Sequence, residues 1–589
     1  MKILILIISI MLSFEYCSRA DVYIDPSTGT PTQNGTIDAP YDSWSDVVWA
    51  ANTTYRQREG TTYVNTIRVD VPNTTTFNGT ITSYKAMPED SGRPIIHGLI
   101  PVEGTWTQRA DATYYATQTT TFTFNNANMW ADQVEINRTA AATTTPSNAS
   151  WSTVSNVIYL NVGTYTFSIG TSTFERSNST INTGIYLWDS NCSVVGMQVE
   201  WTPFSGITGL STSDNIYIYD CVVEHCGQNQ YTSGQNCIQG LGNNCYIGSC
   251  TARYAGDNGI AHENLEGTGN ERPTNTGNVV ENCESSFNWN VGITVKGEGP
   301  LCNSAIIRNN NVHDNGLLST DLNQDIDYNR CGIRLQNFFG TVTGNTIYRN
   351  GGAGIYSLGS TNTAYTDPQI TTIEYNDVYN NYLEQSSGYG NNLPPTDYHR
   401  GDRGGIALIT RYVTADINSY FSLSNNTVHE MGTGSVALYY FSLSTFSAVS
   451  PVKAYNNIFI SEGTYSVHRD KSDFSTGSDF DNNVLNSNSL VSSDRGIDET
   501  FATWNAKSYV GTDLQFDPGW VGSSTYNHNL VSSSPIRNIG IEIGTRITDV
   551  LGNPLSGIRD IGAFEYQPVG STFSGGASTF SGNTSTFTD

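Results

Sequence analysis

Charge is what this chain has least of. Only 14% of its 589 residues are Asp, Glu, Lys or Arg, against about 25% in an average soluble protein. Positive charge is scarcest: 28 Lys and Arg face 54 Asp and Glu, a formal net charge of −26. That balance excludes a nucleic-acid partner held through its phosphates, which takes a basic footprint. It also excludes a polybasic membrane contact. Long apolar runs are missing after the first twenty residues, so no membrane span is expected. No Cys-x-x-Cys pair or His cluster stands at zinc spacing, which argues against structural zinc. Aromatics, at 11%, are too many for a disordered chain. What is plentiful is uncharged and polar: Asn, Ser, Thr, 56 Gly and 34 Tyr, the makeup of a soluble β-rich protein of an exposed compartment.

The start of the chain agrees. Met1-Lys2 leads into an apolar run from Ile3 to Leu12, then Ser18-Arg19-Ala20. Small residues flank a cut before Asp21, so residues 1–20 read as a secretory signal and the expected localisation is secreted. Cys17 is a poor lipid anchor, because Tyr16 stands where a small residue is needed. Nine cysteines follow, from Cys192 to Cys331, and an odd number leaves at least one unpaired. Cys221, Cys250 and Cys283 fall at one repeat position, so stacked buried thiols compete with disulfides.

The repeat carries the fold. A Gly-Ile pair, or a small residue with a β-branched one, recurs at Gly184, Gly206, Cys237, Gly259, Gly292, Gly332, Gly354, Gly405, Ser435 and Ser466. Its shortest spacing, 22 residues, separates Gly184 from Gly206, Cys237 from Gly259 and Gly332 from Gly354. Longer spacings are that unit plus an insertion. Asn, or Asp or Ser in its place, keeps step at Asp220, Ser249, Asn282, Asn310, Asn345, Asn376, Asn426 and Asn457. Each precedes a short alternating run such as Thr346-Ile347-Tyr348-Arg349. Short β segments on a fixed period, with no helical stretches between them, describe a solenoid of strands. About 22 residues make three strands and three turns, one coil about 4.8 Å above the last.

This pattern resembles the right-handed parallel β-helix proteins of the pectate-lyase-like superfamily. The Asn file would be the ladder between second and third strands, and Gly-Ile would open the first. Val22-Tyr23-Ile24-Asp25-Pro26-Ser27 is similar to the opening of secreted members. Asp517-Pro518-Gly519, Ser534-Pro535 and Asp560-Ile561-Gly562-Ala563-Phe564-Glu565-Tyr566 resemble their last segment. The expected fold class is all-β, a parallel β-helix of about ten coils. Residues 21–175 would hold a β-rich cap and first coils, 176–490 the helix with groove-lining insertions, 491–568 the last coils and cap, and 569–589 a flexible tail.

Insertions mark the working side of a solenoid. They cluster on both sides of the first strand, so their loops would wall a groove along it. If each Ile points inward, Gln239, Glu263, Lys296, Arg334, Gln336 and Tyr356 point outward. Glu263, Lys296 and Arg334 then form a charged file in a chain with few charges. The Lys296/Arg334 pair resembles that of the chondroitinase-B and alginate-lyase branch, which implies β-elimination on an acidic polysaccharide with Lys296 as base, Arg334 beside the carboxylate and Glu263 nearby. That branch's calcium ligands have no secure counterpart here; Glu263 and Glu266 are loose candidates. Separately, Asp321, Asn323, Asp325 and Asp327 place oxygen ligands at every second residue, as Ca²⁺ prefers. The Gly and closing Glu of an EF-hand loop are missing. His399, Arg400 and Arg403, just before Gly405, are further substrate-binding candidates. A second outward line, His313, Tyr348, Tyr379 and His429, offers rings for stacking on sugars.

The first reading is therefore an exported lyase acting on an extracellular polysaccharide. The net −26 counts against an anionic substrate unless Ca²⁺ or the Lys296/Arg334 pair offsets it locally. A glycoside hydrolase would pair Glu263 with Asp257, Asp325, Asp327 or Asp402. A non-catalytic glycan-binding spike, at a cell surface or on a virion, is the reading from another class.

Overall fold

The computed structural model describes residues 20–566, apart from stretches that include 29–32, 72–75, most of 102–182 between short strands, 228–234, 265–273, 298–300, 318–329, 361–369, 382–403, 413–419, 432–434 and 443–450. The proposed signal and the tail thus lie outside the described residues. Three long sheets run the length of the molecule, one of fourteen strands and two of thirteen. Each coil gives one strand to each: Ile293–Gly297 to the first sheet, Leu301–Arg308 to the second and Asn311–His313 to the third. The next coil repeats them with parallel pairing, Ile293 opposite Ile333, Ile306 opposite Thr341 and Val312 opposite Ile347. This is a right-handed parallel β-helix. Its parallel strands begin at Ala20–Ile24 and end at Leu514–Gln515. Between Leu99 and Ser177 the chain leaves the coil for two four-stranded antiparallel sheets, then re-enters at Thr183–Leu187.

The core is stacked columns. Ile185, Ile207, Ile238, Ile260, Ile293, Ile333, Ile355 and Ile406 stand in register and fully buried. The column continues through Leu438, not the Val436 of the sequence pattern, because the Gly404–Tyr412 strand pairs two residues further on. The glycine before each isoleucine is steric. A Cβ on Gly332 would lie 2.6 Å from Ile347 Cγ2 and 2.8 Å from the carbonyl of Gly354 on the next coil.

The turn between second and third strands holds the polar ladder. Asn310, Asn345, Asn376, Asn426, Asn457 and Asn483 each donate Nδ2–H to the next rung's Oδ1 at 2.9 Å, ending on Asp513. Asp220, Ser249 and Asn282 are not rungs. They stand one residue earlier, at φ of 52–54°, where the left-handed backbone favours Asn and Asp. The rungs there are Cys221, Cys250 and Cys283. The Cys221 and Cys250 N–H groups donate to the next sulfur at 3.5 Å, and Cys283 N–H donates to Asn310 Oδ1. These thiols, with Cys192, Cys226 and Cys237, are free and buried, and Cys245 and Cys331 are buried as well. A second ladder, Asn288, Asn315, Asn350 and Asn381, ends on Glu430.

Burial pushes the Cys221 and Cys250 thiols well above their ordinary range, which suppresses the thiolate that alkylation requires. Cys221, Cys250 and Cys283 should resist iodoacetamide at pH 8 until denaturant is added. Peptide mapping that finds any of them alkylated in native buffer would contradict the thiol ladder.

The far end is closed by packing. Leu490–Asp494 turns back antiparallel to Ile497–Glu499, and the short helix Phe501–Asn505 places Trp504, fully buried, over the last coil. Arg469 points into the core there and is matched by Glu499 at 2.7 Å. The described residues between 517 and 566 run along the outside instead, with Leu530, Ile536 and Ile561 packed on Ile458 and Val484 of the third sheet.

Candidate functional site

The outer face of the first sheet carries the site, and strand pairing fixes its rows. Gln239, Ala261, Thr294, Arg334 and Tyr356 form one row across consecutive coils. Glu263, Lys296 and Gln336 form the row beside it. Arg334 is therefore not in file with Lys296, as the sequence spacing suggests. It starts in the neighbouring row and reaches back along the helix. Its Nε donates to Thr294 Oγ1 at 3.0 Å and its Nη2 to Glu263 Oε1, also at 3.0 Å. Ala261, with only a methyl group, leaves the row open for that reach.

Arg334 and Glu263 form a buried ion pair, 8% and 6% of their side chains exposed. Burial pushes the Glu263 carboxyl up, as does the charge of Asp257, while Arg334 and Lys296 pull the other way. Asp257 accepts from Asn290 Nδ2 at 2.8 Å and is half-buried. Lys296, directly beside Glu263, is half-buried too. On the strand between Ala261 and Glu263, His262 turns into the core. Its Nδ1 lies 2.8 Å from the Gly240 carbonyl, and burial lowers its pKa to about 4. It packs neutral and takes no part in the outer face.

Of the other sequence candidates, Gln336 is half-buried beside Lys296 and Gln239 is nearly buried. Tyr356 stands next to Arg334 but is 6% exposed, in an apolar patch with Leu358, Ala407, Ile409, Tyr439 and Phe441. The structure thus gives Tyr356 a packing role. His399, Arg400, Arg403, Asp402, Glu266 and the acidic set Asp321, Asn323, Asp325 and Asp327 lie outside the described residues. Among the described residues, no cluster of His, Cys, Asp and Glu is arranged for a metal ion.

The second aromatic line is corrected. His313, Tyr348 and Tyr379 stack on one another, with centroids 4.8 and 5.1 Å apart. Tyr379 is then covered by Tyr526 at 4.7 Å, and His429 lies buried against Trp520 and His528. The outer C-terminal segment covers Tyr379 and His429, so those two rings are not sugar platforms, while His313 is buried and Tyr348 half-buried within the stack. Sequence reasoning named Asp257 as one of four possible carboxyl partners of Glu263 but missed Thr294 as a partner of Arg334. Thr294 was visible as an outward residue, but only pairing shows that Arg334 bonds to it.

No family model matches the chain, and neither does any curated protein. Solved structures do. XylC, determined in complex with xylose, is 10% identical over 92% of this chain and 98% of its own, with a TM-score of 0.51. Pectate lyase Pel9A is 11% identical over 93% and 97%, at 0.37, and a rhamnogalacturonan lyase 15% identical over 74% and 87%, at 0.33. The XylC likeness shows the shared fold. Among the described residues no helix is long and apolar enough to cross a membrane.

Proposed function

We propose that the chain is an exported enzyme that cleaves glycosidic bonds in a polysaccharide laid along the outer face of the first sheet, with Glu263 transferring the proton. The observation that carries this reading is a buried carboxyl, pushed up by burial, on a face otherwise rich in uncharged hydrogen-bonding side chains. A carboxyl whose ionisation burial disfavours is the kind of group that gives its proton to a leaving oxygen. The same geometry favours hydrolysis over the β-elimination suggested by the Lys296/Arg334 pair. Elimination needs a cation placed on the substrate's carboxylate, and the Arg334 guanidinium is directed at Glu263 and Thr294 instead. Asp257, whose charge acts on Glu263, is the second carboxyl this reading uses.

Incubation with xylan, mannan, pectate, alginate and chondroitin should yield new reducing ends without ultraviolet-absorbing unsaturated ends. Unsaturated ends would restore elimination with Lys296 as base. Binding without any product would leave a glycan-binding spike.

A further inference from the structure

At the N-terminal end of the same face the residues change character. Trp188 points outward and is 40% exposed. Tyr186, two residues before it, meets its ring edge-on at 5.3 Å. The guanidinium of Arg68, on the preceding coil, sits 4.1 Å from the Trp188 centroid and is itself paired with Asp70 at 2.9 Å. One coil on from Tyr186 comes Thr208, then Gln239, then Ala261 on the Glu263 strand. These residues carry no charge. One of them also lacks a partner: Thr208 Oγ1 is buried without a hydrogen bond among the described residues.

Resting on the cleavage reading above, we infer that Trp188 and Tyr186, with Thr208 and Gln239, form a remote subsite for an uncharged sugar unit of the same polysaccharide. Buried polar atoms without partners are rare in folded proteins. Thr208 Oγ1, unpartnered among the described residues and able to donate or accept, suits a sugar hydroxyl. An indole with one face backed by a cation presents the other to an apolar sugar face. Charge chemistry selects the substrate class: among the described residues the cation beside the indole, Arg68, is already matched by Asp70, which leaves it poorly suited to a uronate carboxylate. Three coils separate Trp188 from Glu263, about 14 Å at 4.8 Å per coil. The site therefore senses substrate length.

The test uses the full chain and xylo-, cello- and manno-oligosaccharides of two and six units. In Trp188→Ala, the ratio of the hexaose KM to the biose KM should rise by about fivefold or more over the parent ratio. Trp188→Phe should restore most of it, and Thr208→Val should give a smaller rise. A general folding defect would not move that ratio. An unchanged ratio, or a Phe variant no better than Ala, overturns the subsite. If the parent degrades only oligogalacturonate or oligoalginate, the neutral subsite falls while the groove stands. If no oligosaccharide is bound or cleaved, the groove reading falls and takes the subsite with it.

Discussion

The double variant Glu263→Gln, Arg334→Met should melt close to the parent while its turnover falls by about 10²–10⁴-fold. The two single changes explain why the pair must be altered together. Glu263→Gln leaves a guanidinium that cannot lose its proton in a site only 8% exposed, and an uncompensated buried charge costs about 3–5 kcal/mol. Arg334→Met leaves a carboxylate, which can escape by binding a proton. Its penalty should shrink as the pH is lowered, whereas the Glu263→Gln penalty should not. Removing both charges replaces the ion pair by neutral side chains of similar volume, a change that is often neutral for stability. Activity does not return with stability, because the proton-transfer group is gone. A double variant that hydrolyses the parent's substrate within tenfold of the parent rate would remove Glu263 from the chemistry and leave Asp257 as the candidate carboxyl. A Lys296→Met variant completes the contrast: it should lose far less activity under hydrolysis, and orders of magnitude under elimination.

The fold was legible because its signals are repeated. Inward isoleucines, the glycine that a Cβ would jam against the next coil and the amide file each recur coil after coil, so one irregular coil does not hide them. Errors arose where two neighbouring positions obey similar preferences. The rung residue and the left-handed residue before it both accept Asn, so Asp220, Ser249 and Asn282 read as rungs while the rungs are Cys221, Cys250 and Cys283. The site was half legible for a related reason. Alternation told which side chains point out, but insertions of unequal length conceal which outward rows adjoin. The sequence spacing puts Arg334 in the file of Lys296, yet strand pairing puts Gln336 there. What lies over a sheet is harder still to read. Nothing in Thr427-Val428-His429-Glu430 shows that a segment about a hundred residues later will cover it.

That covering segment should loosen in acid. His528 Nδ1 sits 2.7 Å from Asp377 Oδ1, and its Nε2 is 3.2 Å from Nδ1 of His429. The two facing nitrogens can share one proton and no more. Glu462 lies 3.8 Å from His429 Nε2, and Trp520 and Tyr526 close over the rings. Burial, and then the charge of His528, lower the His429 pKa to about 3 from the usual 6.5. When the segment lifts, His429 regains its ordinary affinity for protons. The stabilisation is thus fully present above about pH 6.5 and is lost as the pH falls toward 3, by about 1.4 kcal/mol per unit within that window. Global melting is the wrong readout. Burial raises the Glu430 carboxyl to about 8, so its contribution is present below about pH 4.5 and is lost as the pH rises toward 8, opposing the histidine where the windows overlap. Glu430 belongs to the internal ladder and stays buried when the outer segment lifts, so a local probe separates the two. Amide exchange across residues 520–530 should speed up between pH 7 and pH 4.5 after correction for intrinsic rates, while the strand Thr346–Tyr348 stays protected. His429→Gln keeps an acceptor for His528 but cannot titrate, and should flatten the response. Equal acid-induced exchange in parent and variant would show that the latch does not depend on His429.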